Sequence, residues 1–276
     1  MEHIEIVGLR IAYERAGHGP PLVLLHGFFG DTRVWRAQLE ALSDEYEVVA
    51  WDTPGCGQSS DPPGTFRMPD YARCLRGLIE ALGMERPHVL GLSFGSTLAL
   101  ELYRQSPQLP RTLVLAAAYA GWTGSLPADV VEQRLRQTIA DLDLPADQVV
   151  AKYNSPGLLS ELAPAAVLVE NARIMSDFHP PGMKAMVRAL AEADLRDVLR
   201  LIDVPTLLLY GDKDVRSPLS VGRALQANIP TSRLVVIPGV GHLSNFEAPE
   251  RFNDELRVFL RTAADGPYSG GRNGAS

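Results

Sequence analysis

Three short stretches of this 276-residue chain carry side chains that could act together on a carbonyl group. The first is Gly91-Leu92-Ser93-Phe94-Gly95, a G-x-S-x-G string placed after an apolar β-rich run and before a helical pattern. The bare string arises by chance in a glycine-rich chain, so the strand before it and the helix after it carry the weight. In that context the serine sits on a sharp strained turn with its hydroxyl above the sheet edge, and the glycines let the backbone pass closely. A serine hydroxyl is a weak nucleophile until a base takes its proton. Gly239-Val240-Gly241-His242, after the last apolar run, supplies an imidazole on a loop tight enough to aim it back across the strand ends. A third group must orient the ring. Gly211-Asp212-Lys213-Asp214 offers two acids, Asp212 and Asp214. Acyl transfer also needs backbone N–H donors for the oxygen on which charge develops. The amide of Phe94, the residue after the serine, is placed for that.

These stretches need a scaffold that brings them to one rim. Apolar runs at 21–25, 47–51, 88–92, 111–115, 206–210 and 233–237 alternate with helical patterns. Runs apolar on both faces fit a parallel sheet covered by helices. Leu75, Leu78, Ile79 and Leu82 form one helical stripe, with Asp70 as a candidate cap and Gly83 as a stop. Helices are also expected over 96–104 and 251–260. The segment 4–13, with Gly8-Leu9, reads as a hairpin adding antiparallel strands at one edge. The alternation breaks between Trp122 and Arg200, where helical patterns at 129–142, 146–153, 163–175 and 182–193 are punctuated by Pro127, Pro145, Pro156 and Pro180-Pro181. A single crossover does not need four helices. The expected fold class is α/β, a mostly parallel central sheet flanked by helices. Residues 1–121 and 201–262 form its core, 122–200 a helical lid insertion, and 263–276 a disordered tail.

Several motifs in order resemble the α/β-hydrolase fold family, in its serine-nucleophile branch. They are His26-Gly27 after the first core strand, the G-x-S-x-G at 91–95, a G-x-x-D-x-x-x-P at 211–218 and the G-x-G-H at 239–242. The resemblance spans His26 to Leu260 and matches the family's nucleophile, acid, base order. It implies a triad of Ser93, Asp214 and His242, because the acid is the fourth residue of the third motif. Asp212 is then a turn residue bonded to its own backbone. It further implies that the second oxyanion donor is the amide of Phe28, in the loop His26-Gly27-Phe28-Phe29-Gly30, beside that of Phe94. Asp52-Thr53-Pro54-Gly55-Cys56-Gly57-Gln58-Ser59 is similar to the family's D-x-x-G-x-G-x-S loop, with Asp52 structural and no arginine following it. His26 is read as a structural histidine, Cys56 as a small buried residue and Cys74 as core. The opening H-G-F-F-G departs from the H-G-G-P-G of proline iminopeptidases and is closer to small esterases, enol-lactonases and ligand-sensing homologues.

Composition narrows the function. Residues of hydrophobic type make up 46% and charged residues 21%, so a sizeable core forms and bulk disorder is excluded. With 26 basic against 33 acidic residues, net −7, no basic surface for nucleic acid is expected. Two cysteines exclude a disulfide scaffold or a cysteine-rich zinc site. No metal-ligand spacing, phosphate-binding loop or dinucleotide fingerprint occurs, so neither metal nor cofactor is implied. No apolar run reaches membrane length and the first residues carry no signal-peptide pattern, so a cytoplasmic protein is expected. The expected activity is cofactor-free hydrolysis of a small carboxylic ester or lactone through an acyl-enzyme. Carbon–carbon bond hydrolysis or aminopeptidase activity on the same triad, and a slow small-molecule sensor, are alternatives. The expected partner is a small-molecule substrate; the oligomeric state is left open. Phe29, Trp122, Phe178 and His179 are candidate lining residues of a mostly apolar pocket.

Overall fold

The computed structural model describes residues 1–154 and 158–264. Among these, the strands form one eight-stranded sheet in the order β1-β2-β4-β3-β5-β6-β7-β8. The strands are β1 Glu2–Ile6, β2 Leu9–Ala16, β3 Pro21–Leu25, β4 Glu47–Trp51, β5 His88–Leu92, β6 Thr112–Ala116, β7 Thr206–Gly211 and β8 Ser232–Ile237. From β4 across to β8 all neighbours are parallel, while β1 and β2 add an antiparallel edge. The six apolar runs are thus the six parallel strands. β6 starts one residue later than expected, because the Arg111 N–H still bonds Pro87 O outside the ladder. The hairpin turns at Val7-Gly8 rather than Gly8-Leu9, with both residues at positive φ (52° and 75°), as a two-residue turn matched to strand twist requires.

The period of two along each strand divides the core into two layers. Val23, Leu25, Val49 and Trp51 face one side, and Leu22, Leu24, Val48 and Ala50 the other; all are fully buried. Each of the valine and leucine side chains among them contributes about 1.5–3 kcal/mol by leaving water. On the first face pack α2 Met68–Ala81 and α3 Phe94–Gln105; on the second pack α1 Arg36–Leu42 and α11 Pro249–Ala264. Asp70 does not occupy the cap of α2. That position is Arg67, and Asp70 stands three residues in, its carboxylate accepting the Arg67 N–H at 2.8 Å. Gly83 follows the helix at φ 66°, as expected of a stop.

Between β6 and β7 the chain inserts α4 Ala128–Asp141, α5 Ala146–Tyr153, α6 Ala165–Ser176, α7 Pro180–Glu192 and the short α8 Arg196–Leu199. The prolines start these helices: Pro127, Pro145 and Pro164 precede the first turns of α4, α5 and α6, and Pro180-Pro181 lie inside the first turn of α7. A missing N–H costs nothing there. This moves two expected boundaries, from 163 to Ala165 and from 182 to Pro180. Pro156 lies outside the described residues. After β7 come α9 Leu219–Asn228 and, beyond β8, α10 Ser244–Glu247. α11 runs to Ala264, so the first two residues of the expected tail are helical; the rest of that tail, 265–276, lies outside the described residues. Among the described residues no helix is long and apolar enough to cross a membrane.

Candidate active site

Ser93 joins the end of β5 to the start of α3 with φ 54° and ψ −109°, a left-handed backbone outside the usual wells. Such a conformation costs about 1–3 kcal/mol and persists only where its surroundings over-determine it. Here its N–H donates to Ala116 O on β6 (2.9 Å), and its carbonyl accepts the N–H groups of Ser96 and Thr97 (3.0 and 3.2 Å) and the Ser96 hydroxyl (2.5 Å). The flanking glycines are steric requirements. A Cβ on Gly91 would stand 2.1 Å from Gly95 O, and one on Gly95 would stand 2.1 Å from Leu25 O.

Two neighbouring strand ends carry the candidate acid and the candidate base. His242 follows β8 and Asp214 follows β7; both are buried, and Nδ1 of the ring lies 2.8 Å from Asp214 Oδ2. The other oxygen, Oδ1, accepts the N–H groups of Arg216 and Ser217, each at 2.8 Å. A carboxylate only accepts, so the ring proton sits on Nδ1 and Nε2 is left as the acceptor. Asp212 does not make the expected bond to its own backbone; within its turn it pairs only loosely with Lys213 Nζ, at 3.8 Å. Its carboxylate accepts the Gly239 N–H at 2.7 Å and so ties the β7 loop to the histidine loop. Gly211 lets the loops meet, since a Cβ there would stand 2.2 Å from Val240 O. Ser93 and His242 line one cavity of about 430 Å³, together with Gly27, Phe28, Phe29 and Trp122.

The loop after β3 turns tightly, with the Gly30 N–H on Gly27 O (3.1 Å) and Phe29 at φ 63°. A Cβ on Gly27 would stand 3.3 Å from Ser93 Cβ, so this loop passes directly beside the serine. Phe94 contributes no side chain to the cavity. Its ring packs edge-on against Tyr71 inside the core, and only its amide, at the first position of α3, belongs to this corner. The first N–H groups of a helix have no partner within it. Of the candidate pocket residues, Phe29 and Trp122 line the cavity, and Phe178 and His179 do not. Phe178 stands behind Phe29, ring to ring at 5.7 Å, and His179 faces Asp61 at 3.0 Å.

His26 is fully buried, and its Nε2 accepts the Thr53 N–H at 2.9 Å while Nδ1 meets Gly27 O at 2.8 Å. Burial lowers its pKa, which keeps the ring neutral in this bridging role. Asp52 accepts the Thr32 and Gln58 N–H groups, 2.8 Å each, with its pKa raised by burial. Both residues hold loops, as read from sequence.

The cavity is lined mostly by apolar surface, as expected, but it also has a polar group of lining residues: Gln133, Arg134, Gln137, Thr138 and Asp141 of α4, Lys152 of α5 and Arg216. Their i, i+4, i+7 spacing on α4 is visible in sequence, but a polar helical stripe has the same appearance whether it faces water or a cavity. Glu247 of α10 is a further residue that sequence reading missed. Its carboxylate accepts the Gly241 N–H (2.9 Å), the Ser160 N–H (3.0 Å) and the Ser160 hydroxyl, and so fixes the histidine loop to the inserted segment.

A family model of the alpha/beta hydrolase fold matches residues 20–249. The chain belongs to this family. It is an enzyme of the α/β-hydrolase type, and several of its relatives carry hydrolytic names. A putative carbamate hydrolase RutD from Cronobacter turicensis is 30% identical, with 94% of this chain and 98% of the relative covered. The 3-oxoadipate enol-lactonase 1 of Acinetobacter baylyi is 28% identical, with 89% and 90% covered. Among solved structures, a thermophilic esterase from Thermogutta terrifontis superposes on this hydrolase with a TM-score of 0.88 at 30% identity, covering 95% of this chain and 99% of the esterase.

Proposed function

We propose that this α/β-hydrolase cleaves a small carboxylic ester or lactone through an acyl-serine. The observation that carries the reading is the buried Asp214–His242 pair at 2.8 Å, opening onto the same cavity as a serine held at positive φ. Ser93 Oγ bonds to the substrate carbonyl carbon as its proton passes to His242 Nε2. The amides of Phe94 and Phe28 hydrogen-bond the resulting oxyanion, each worth on the order of 10²–10³ in rate. Collapse breaks the bond to the alkoxide, which takes the proton from His242 and leaves as the alcohol, or stays tethered if the substrate is a lactone. Water then gives its proton to Nε2 and attacks the acyl carbon. The acid departs and Ser93 regains its proton. Asp214 holds the Nδ1–H tautomer and stabilises the imidazolium. The helices inserted between β6 and β7 act as a lid that closes the cavity over the substrate. The esterase and enol-lactonase relatives support this choice of bond, since both names describe hydrolysis at an acyl carbon.

The test is Ser93→Ala. We expect fluorophosphonate to label the native enzyme at Ser93 and abolish hydrolysis of short p-nitrophenyl esters. The alanine variant should label nowhere and lose on the order of 10⁴–10⁶ in kcat with an unchanged melting temperature. Full activity in that variant would end the proposal.

A further inference from the structure

The chain has a net charge of −7, yet the cavity's lining side chains carry more positive than negative charge. Arg134, Lys152 and Arg216 stand there against a single lining carboxylate, Asp141. Asp141 is already engaged: it accepts hydrogen bonds from Gln137 (2.8 Å), Lys152 (2.7 Å) and the Tyr153 hydroxyl (2.8 Å). Asp214 lies behind His242 with both oxygens engaged. The two guanidinium groups are placed differently. Arg134 lies 6.0 Å over the Trp122 ring and, among the described residues, makes only long contacts, to Tyr119 Oη (3.5 Å) and Arg216 O (3.4 Å). Arg216 lies 5.6 Å over the Tyr153 ring. Among the described residues neither meets a carboxylate, although both are half-buried. Elsewhere in the molecule Arg33 is held by Asp31 and Asp177, and Arg257 by Asp44 and Glu45. Aromatic faces fix the planes of both cavity arginines and leave their planar donor forks for a ligand.

We propose that this cavity selects a substrate bearing a carboxylate remote from the scissile bond, with Arg134 and Arg216 as its specificity-determining residues. The inference rests on the reading of Ser93, Asp214 and His242 as the reacting centre. A carboxylate matches the guanidinium fork, and in a partly enclosed cavity such a charge-assisted bond is stronger than its neutral counterpart. An uncharged substrate of the same shape would leave two desolvated cations without a partner.

The experiment compares monoethyl glutarate with its neutral isostere, ethyl 4-carbamoylbutanoate. Binding is measured by calorimetry to Ser93→Ala, which removes turnover from the comparison. We expect the half-ester to bind about tenfold or more tightly than the amide. Rising salt should narrow that ratio. Arg134→Gln and Arg216→Gln, each added to Ser93→Ala, should reduce it to about twofold or less, while Arg134→Lys keeps a clear preference because it keeps the charge. Equal binding of the two esters, or a preference that survives both glutamine variants, overturns the proposal. Turnover by the native enzyme separates the two levels of the reading. Hydrolysis of both esters with equal kcat/KM rejects carboxylate selection and leaves the hydrolase reading standing. A binding preference without hydrolysis or fluorophosphonate labelling rejects the reacting centre and leaves anion recognition standing.

Discussion

Asp214 uses both carboxylate oxygens inside the site, one on the imidazole and one on two backbone amides. Those amides can only donate, so the atom facing them must accept. In Asp214→Asn the carboxamide oxygen therefore stays with the Arg216 and Ser217 N–H groups, and the NH₂ turns toward His242. The ring then accepts at Nδ1 and carries its proton on Nε2, where it cannot take one from Ser93. On the proposed mechanism kcat falls on the order of 10³–10⁴ with little change in KM. Steady-state kinetics beside a denaturant curve check this, and a variant with native kcat would mean that Asp214 only holds its loop. Asp214 stood out by its place in G-x-x-D-x-x-x-P. Arg216 lies in the same eight residues without standing out, because a motif spaced for catalysis says nothing of where an intervening side chain points.

At the scale of elements, the inserted helices are tied to the core by backbone contact. Gly182 in the first turn of α7 meets Gly55 in the loop after β4, and a Cβ on Gly182 would stand 2.4 Å from Gly55 Cα. Neither side can yield as a flexible side chain could. Gly182→Val should therefore lift α7 from the loop and lower stability by about 1–3 kcal/mol, as overpacking does. Limited proteolysis should then cut within 122–200 before it cuts the sheet. Cleavage as slow as in the native protein would show that the contact relaxes without moving the helix. Glycine in the D-x-x-G-x-G-x-S loop marks a tight turn in sequence. Its partner 127 residues away does not, since a glycine in a helical pattern usually reads as a weak helix former.

On the proposed mechanism, the whole molecule separates stability from chemistry along the strand axis. Ser93, Asp214 and His242 follow strand ends, while His88 opens β5 at the opposite edge, fully buried against Thr112 with Nδ1 to Oγ1 at 2.8 Å. Burial, with the charge of Arg111 adding to it, lowers the His88 pKa from 6.5 to about 4. Between these values the unfolded chain binds the proton and the folded one does not. Stability is therefore complete above the unfolded value and is lost as the pH falls toward about 4, by about 3 kcal/mol in total. His26, buried and lowered in the same direction, adds to the loss. Urea unfolding at pH 7 and pH 5 should show a smaller drop in His88→Gln than in the native protein, while KM of the folded enzyme is the same in both. Parallel slopes for the two proteins would remove His88 from the account.

The sequence by itself determined the mostly parallel sheet, the six apolar runs that form its parallel strands and the three stretches that follow strand ends; the order of the strands came from the structure. Burial on both faces leaves continuous apolar runs, and a serine on a strand-to-helix turn demands glycines at fixed offsets, so both are written locally. Tertiary structure alone decided which polar residues of 122–200 face inward, that Phe178 stands behind Phe29 and His179 against Asp61, and that Glu247 anchors the histidine loop. A helix has one polar stripe whatever covers it. Whether that stripe meets water or a substrate depends on how distant segments pack, and side-chain periodicity carries no record of that.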